Sequence, residues 1–339
     1  HQILTKNQIY IYFLVPLSFA LLQIEIEKKN FKILTKIKYA IIILVLFGFV
    51  LLAFSDKPNS NIQISSPENG YNIYAIEIPP ELYFSGESMP IHIPDIRERI
   101  DRELLVNTYW QSNGLLMFKR SHRYFPIIEP ILESYGVPND FKYLALIESG
   151  LQNVTSSAGA KGFWQIMKRT GKEYGLEINS NVDERNNLEL STIFACKYLL
   201  KAKAKFGNWT LAAASYNAGI SGISKQLSRQ EVSSYYDLLL GEETGRYMFR
   251  IVALKEIMSR PKKYGFNFSE DDLYAPVPTY KVKVDTAVTD FVKFANFFGL
   301  NYKQLKIHNP WLRETFLNNK SRKVYTFQIP TKEYYIDLN

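Results

Sequence analysis

Apolar residues recur at helical spacing through the middle of the chain. Between residues 96 and 262 they repeat every three or four positions, and no alternating strand pattern interrupts them. The longest series is closed by Gly207 and consists of Leu188, Thr192, Ala195, Leu199, Ala202 and Phe206. Glycine is a common helix terminator. The pattern therefore predicts a mainly α protein whose central part, residues 96–262, is an all-α domain.

One of these predicted helices ends on a carboxyl group. Phe141, Leu144, Ala145 and Glu148 stand at i, i+3, i+4 and i+7, which is one face of a helix, and Gly150 marks its end. A carboxylate on an apolar face at the C-terminal end of a helix is disfavoured by burial and by the helix dipole. Glu148 is therefore expected to stay protonated near neutral pH, as a general acid requires.

The C-terminal segment has a different period. Tyr280, Val282 and Val284 alternate with polar residues, two short helical stretches follow, and alternation returns over 325–329. Residues 275–339 are thus predicted to form a small βααβ module.

The N-terminal segment is basic and then apolar. Residues 40–54 form an unbroken apolar run behind five lysines, and residues 9–22 form an earlier apolar run. This pattern predicts a signal peptide or membrane anchor within residues 1–54, with cleavage and retention both open. Residues 55–95 are rich in Ser, Asn, Pro and Glu and are predicted to be a linker.

Composition excludes several classes. The net charge of +8 suits an anionic polymer or membrane, and no nucleic-acid-binding motif accompanies it, so no nucleic-acid partner is predicted. The lone cysteine, Cys196, is expected to be a small buried residue. The four histidines show no ligand spacing, so neither a metal nor a cofactor is predicted. The oligomeric state is left open.

Three further motifs follow Glu148 in order. They are Gly159-Ala160-Lys161-Gly162-Phe163-Trp164-Gln165, then Ser215-Tyr216-Asn217, and then Glu243-Thr244-Gly245-Arg246-Tyr247. With Glu148-Ser149-Gly150, this ordered set resembles the family 1 lytic transglycosylases, which have the goose-type lysozyme fold, and is most similar to the membrane-bound lytic murein transglycosylase D group. The βααβ segment resembles a LysM glycan-binding module, with Val284-Asp285-Thr286 where Gly-Asp is usual. Its alternative is a small structural cap on the helical domain.

The resemblance implies a bacterial envelope enzyme. Its partner would be the glycan strands of peptidoglycan in the periplasm, where residues 55–95 would also lie, and the membrane if the N-terminal apolar segment is uncleaved. It implies a lysozyme-like catalytic domain that cuts the β-1,4 bond between N-acetylmuramic acid and N-acetylglucosamine. Glycosidases normally need two carboxyl groups, but in this family the C6 hydroxyl of the sugar is the nucleophile, so Glu148 alone would serve as acid and base.

The resemblance also assigns supporting residues. Ser149 would contact the acid or the substrate, Gly162 would let the loop approach the sugar, and Gln165 would bind sugar amide and hydroxyl groups. Tyr216 and Asn217 would shape the site and hold an acetamido group. Tyr247 would hydrogen-bond Glu148. Trp164 is assigned to the core.

Two alternatives remain. A lysozyme-type hydrolase of the same fold would need a second carboxylate to direct water, for which Asp183 is the nearest candidate, although the Asp183-Glu184-Arg185 run favours a polar approach to a helix. Glu243 is a further carboxyl, for which an ion pair is expected. The other alternative is a non-catalytic wall-binding protein.

Overall fold

The structure is a computed structural model that describes residues 73–336. The predicted signal peptide or anchor of residues 1–54 and the first part of the linker, residues 55–72, lie outside the described residues. Within residues 73–336, none of the helices combines the length and the apolar character needed to cross a membrane. The described residues from Tyr74 onward belong to one compact unit.

Eight α-helices build the central part of the described chain. They are α1 (Pro94–Tyr109), α2 (Gln111–Ser134), α3 (Lys142–Ser149), α4 (Lys168–Glu173), α5 (Leu188–Phe206), α6 (Trp209–Ala218), α7 (Ile220–Gln230) and α8 (Glu242–Ser259). Short 3₁₀ turns connect several of them, at Asn139–Phe141, Glu184–Asn186, Tyr235–Asp237, Pro261–Tyr264 and Glu270–Asp272. The mainly helical fold class is confirmed.

The helix that carries Glu148 lies at the centre of this bundle. In α3, Leu144, Ala145 and Leu146 are fully buried, and the helix packs between α2 and α8. Gly150 ends it with a left-handed conformation at φ 59°, and its N–H donates to the carbonyl of Leu146. The stop that the sequence predicted at this glycine is confirmed.

A small hairpin precedes the bundle and corrects the predicted linker. Strands β1 (Tyr83–Phe84) and β2 (Glu87–Ser88) pair antiparallel, and Leu82, Phe84 and Met89 are buried in the helical core. The Glu87 carboxylate accepts hydrogen bonds from the backbone N–H groups of Trp209 and Thr210 at 2.5 and 2.8 Å, at the start of α6. The prediction of a linker is therefore wrong for residues 82–91, because their apolar side chains are part of the domain core.

The C-terminal module has the predicted βααβ order. Strand β3 (Thr279–Val284) pairs antiparallel with β4 (Tyr325–Pro330), and α9 (Phe291–Phe297) and α10 (Tyr302–His308) lie between them in sequence. A last turn, α11 (Glu333–Ile336), follows β4. The module has its own hydrophobic cluster, built on Phe291, Leu305, Trp311, Leu317 and Phe327.

The helical part contributes one side chain to that second cluster. Val182, from the segment between α4 and α5, is 1% exposed and packs among the module's core residues. Its backbone pairs antiparallel with Leu312. The module and the helical part therefore share buried apolar surface, as expected of parts that are stable together.

Replacing Val182 by alanine tests this shared core. Loss of two buried methyl groups should lower the free energy of unfolding by about 2 kcal/mol, measured by equilibrium urea unfolding. Val292→Ala on α9 is the control, because Val292 is 49% exposed and should change stability by less than about 0.5 kcal/mol. Equal effects of the two substitutions would show that Val182 does not join the two parts.

Candidate active site

The Glu148 carboxyl lies in the last turn of α3, where its side chain is half-buried among helices. Burial raises its pKa to about 7, and the negative charge of Glu243 acts in the same direction. A hydrogen bond from Tyr247 and the positive charge of Arg250 act in the opposite direction. The balance leaves a carboxyl group that can both give and take a proton near neutral pH.

The phenol of Tyr247 donates a hydrogen bond to Oε1 of Glu148. Tyr247 lies on α8 and is 2% exposed. Its own pKa is held well above the usual tyrosine value by burial and by the neighbouring Glu148 charge, so the phenol stays a donor. The contact that the sequence analysis expected between these two side chains is present.

Two arginines close the C-terminal end of α3. Nη2 of Arg250 donates to the carbonyl of Ile147, and Nη1 of Arg120 donates to the carbonyl of Gly150, both at 3.2 Å. They satisfy helix-end carbonyls that lack partners within the helix. Arg250 was missed by the sequence analysis, although it stands three positions after Tyr247 and so shares its helix face.

The loop of residues 159–166 lies against this helix end. Oγ of Ser149 donates to the carbonyl of Phe163 at 2.8 Å, so Ser149 ties the loop to α3. The phenol of Tyr216 donates to the carbonyl of Trp164 at 2.8 Å. Trp164 itself is fully buried and donates to Thr192, which confirms its assignment to the core.

Gly162 and Gln165 both have left-handed backbones in this loop. Gly162 has φ 81°, and a Cβ there would lie 2.0 Å from the carbonyl oxygen of Arg185, so no other residue fits. Gln165 has φ 44°, and its amide nitrogen donates to the carbonyls of Val154 and Gly162 at 3.1 and 2.8 Å. Both amide protons are used inside the protein, which leaves the amide oxygen of Gln165 for other contacts.

Asn217 is held by the start of α8. Its Nδ2 donates to Oε1 of Glu243 at 2.9 Å, and its Oδ1 accepts from the hydroxyl of Thr244 at 2.6 Å. The ion pair expected for Glu243 is not observed among the described residues, because that carboxylate orients Asn217 instead.

Asp183 lies apart in a tight ion pair. Its two oxygens bind Nε and Nη2 of Arg185 at 2.9 and 2.8 Å, and the residue is 1% exposed. Burial alone would raise its pKa, but the hydrogen bonds and charge of Arg185 and the charge of Lys161 bring the pKa below its usual value. Asp183 is therefore a buried structural anion. Asp183 stands two positions before Arg185, and this spacing is the sequence signal that could have predicted their ion pair.

Two family models match parts of the chain. Residues 126–238 match the transglycosylase SLT domain, and residues 280–333 match the C-terminal LysM-like domain of soluble lytic transglycosylases. The first match contains α3, the 159–166 loop and Asn217. The second coincides with the βααβ module.

Two curated relatives are also similar to this chain. Membrane-bound lytic murein transglycosylase D of Escherichia coli strain K12 is 28% identical over 243 residues, which is 69% of this chain and 52% of the relative. The same protein of strain O6:H1 gives the same values. The chain thus spans about half the length of the curated relatives it matches.

Solved structures of soluble lytic transglycosylases also match. The 70 kDa enzyme of Escherichia coli is 21% identical, with a TM-score of 0.35 over 45% of this chain and 27% of that one. An inactive mutant of lytic transglycosylase Slt from Pseudomonas aeruginosa is 19% identical, with a TM-score of 0.34 over 44% and 26%.

The order of α3, the loop and the βααβ module along one chain agrees with both domain matches. The chain therefore contains a transglycosylase SLT domain followed by a LysM-like domain, and it is homologous to the membrane-bound lytic murein transglycosylase D of Escherichia coli.

Proposed function

We propose that the protein is a peptidoglycan lytic transglycosylase. It would cleave the β-1,4 bond between N-acetylmuramic acid and N-acetylglucosamine without water and leave 1,6-anhydromuramyl ends. The observation that carries this proposal is the Glu148 carboxyl, whose pKa of about 7 and single phenol partner suit a group that must both donate and accept a proton.

The reaction needs one proton to travel through Glu148. Protonated Glu148 gives its proton to the glycosidic oxygen, which leaves with the bonding electron pair. The C6 hydroxyl oxygen of the muramyl residue then bonds to its own anomeric carbon, and the Glu148 carboxylate takes the hydroxyl proton. Because the nucleophile belongs to the substrate, the entropy cost of a second reactant is avoided. The donors around Glu148 would stabilise its anionic form between the two transfers: the Tyr247 phenol directly and the Arg250 charge at longer range.

The surroundings of the other carboxylates favour this reaction over hydrolysis. A hydrolase needs a second carboxylate as nucleophile or as base for water. Asp183 is buried in its pair with Arg185, and Glu243 is a hydrogen-bond acceptor for Asn217. Each is committed to holding another side chain.

The remaining site residues are proposed to form the sugar-binding wall. Asn217 would present its fixed amide to an acetamido group, with Tyr216 beneath it and Gln165 offering its amide oxygen. Ser149 and Gly162 would keep the loop close to α3, where the sugar must lie to reach Glu148. In support of this role, the polar groups are held by protein contacts rather than free to rotate.

The substrate sets the location and the role of the module. We place the enzyme in the bacterial periplasm, where peptidoglycan lies, with a signal peptide or anchor in residues 1–54. Residues 96–262 would be the catalytic domain. Residues 275–339 would form the LysM-like module and give a second hold on the polymer, which raises local substrate concentration without touching the chemistry.

Mass spectrometry of digested peptidoglycan tests the proposal. The full chain should release muropeptides with 1,6-anhydromuramyl ends. Reducing ends would indicate a hydrolase, and a lack of cleavage by folded protein would indicate a wall-binding protein. Either of the last two results would overturn the proposed function.

Glu148→Gln should abolish cleavage and leave the fold intact. The amide keeps the shape and can accept from Tyr247, but it has no acidic proton, so the loss should reach at least about 10²- to 10⁴-fold. The rate of release of anhydromuramyl products measures it.

The melting temperature of the same variant is the control. The pKa of Glu148 is raised from 4.5 to about 7 by folding, so the native state binds more protons and wild-type stability falls as pH rises through that window. Glu148→Gln should therefore melt at or above wild type at pH 8. Turnover near the wild-type rate by this folded variant would remove Glu148 from the role of acid.

Activity should fall on the alkaline side with an apparent pKa near 7, read from the pH dependence of kcat/KM. Tyr247→Phe removes a hydrogen bond that lowers the pKa of Glu148, so the alkaline limb should move to higher pH. Tyr235→Phe is the matched control, because Tyr235 is as buried as Tyr247, at 2% exposed, but its phenol donates to the carbonyls of Thr244 and Gly245. A limb that stays in place in Tyr247→Phe, or moves equally in both variants, contradicts the proposed link.

A further inference from the structure

We propose that the C-terminal module positions the active-site loop. The module holds residues 177–184 of the helical part, and Asp183 and Arg185 carry that constraint to residues 159–166. Asp183 and Arg185 are then positioning residues, and the module acts on the reaction besides any hold it has on glycan. This inference rests on the proposed function, because it concerns the same site.

The module binds the segment of the helical part that precedes α5. The side chain of Asn181 donates to the carbonyl of Phe316 at 2.8 Å and accepts from the N–H of Asn318 at 2.7 Å. The N–H of Asp183 donates to the carbonyl of Trp311 at 2.9 Å. Together with Val182 in the module's core, these contacts fix three successive residues.

Ion pairs add to these contacts between the module and the segment. Nζ of Lys323 lies 2.6 Å from a carboxylate oxygen of Glu177 and 2.8 Å from one of Glu184. The phenol of Tyr325 also donates to Glu177 at 3.0 Å. One lysine of the module thus bridges two carboxylates of the same segment and offsets part of their mutual repulsion.

Asp183 and Arg185 connect this segment to the 159–166 loop. Asp183 holds the Arg185 guanidinium in a fork of two hydrogen bonds, which fixes its plane. Nη1 of Arg185 then donates to the carbonyls of Gly159 and Ile166, both at 3.1 Å. A single buried side chain therefore holds both ends of the loop, and the Arg185 backbone carbonyl packs against Gly162 in its middle.

The 159–166 loop is in turn hydrogen-bonded to α3 and α6. The carbonyl of Phe163 accepts from Ser149, next to Glu148, and the carbonyl of Trp164 accepts from Tyr216, next to Asn217. A loop displaced by loss of Asp183–Arg185 would carry these carbonyls and Gln165 with it. Displacements on the order of 1 Å are enough to cost about 10²-fold in rate when they misplace a substrate.

Two lysines of the module make a matched test. Lys323 reaches the 177–184 segment, whereas Lys281 pairs with Glu189 on α5 at 2.8 Å. In the full chain, with a short soluble glycan, Lys323→Ala should lower kcat/KM by about tenfold, mainly by raising KM, as expected when the binding wall moves. The alkaline limb should keep its midpoint, since Glu148 is not touched. The kcat/KM of Lys281→Ala should stay within about twofold of wild type. Lys323→Arg should keep most of the wild-type kcat/KM, because the arginine can form both ion pairs.

A double-mutant cycle tests the route. If the module acts through Asp183, Lys323→Ala should cost little further in the Asp183→Asn background. Amide hydrogen exchange at Lys161 and Ile166, which bond each other in the loop, should be faster in Lys323→Ala than in Lys281→Ala.

Three results overturn the proposal: equal kinetics of the two lysine variants, additive effects in the cycle, or unchanged exchange in the loop. The exchange measurement decides even if Lys323→Ala proves inactive. Failure of the proposed function is a separate outcome, seen as reducing ends or as no cleavage of peptidoglycan by the folded wild-type chain.

Discussion

The burial of one carboxyl group at the end of α3 is the constraint on which the rest of the site depends. Glu148 is half-buried among helices, and this burial raises its pKa to about 7. Desolvation on its own would raise the pKa further and hold the proton more tightly. The Tyr247 phenol and the Arg250 charge, both from α8, oppose that rise, so α3 and α8 together set a carboxyl that exchanges its proton near neutral pH.

A second constraint is the fixed position of the 159–166 loop beside α3. The 159–166 loop has little regular structure, yet its carbonyls accept from Ser149, Tyr216 and Arg185. Gly162 is required by the approach of the Arg185 backbone. These contacts keep polar groups aimed in advance, which is how an enzyme stabilises charge without reorganisation during the reaction. The module contributes to the position of the loop, because Val182, in the segment before α5, packs in the module's core.

Local pattern predicted those features that local physics decides. The period of apolar residues and the closing glycines Gly150 and Gly207 predicted the ends of α3 and α5, and alternation predicted β3 and β4. Contacts between distant segments were not accessible in this way. Leu82 and Phe84 stand among polar residues, so the pattern of the hairpin at residues 83–88 predicted a linker. The sequence around Val182 does not indicate that the C-terminal module buries this side chain. The Glu148–Tyr247 contact was expected because motif resemblance supplied the distant partner. The partners of Asn217, and the loop carbonyls that Arg185 binds, depend on side-chain geometry that spacing does not encode.

Folding turns Glu148 into a group that titrates near neutrality. Carbon-detected NMR of the glutamate carboxyls, with Glu148→Gln used only to assign the resonance, measures this without reference to any substrate. Glu148 should titrate with a midpoint near 7. A midpoint near the 4.5 of an ordinary glutamate would contradict it, because the carboxyl would then be ionised at the pH where it must donate a proton.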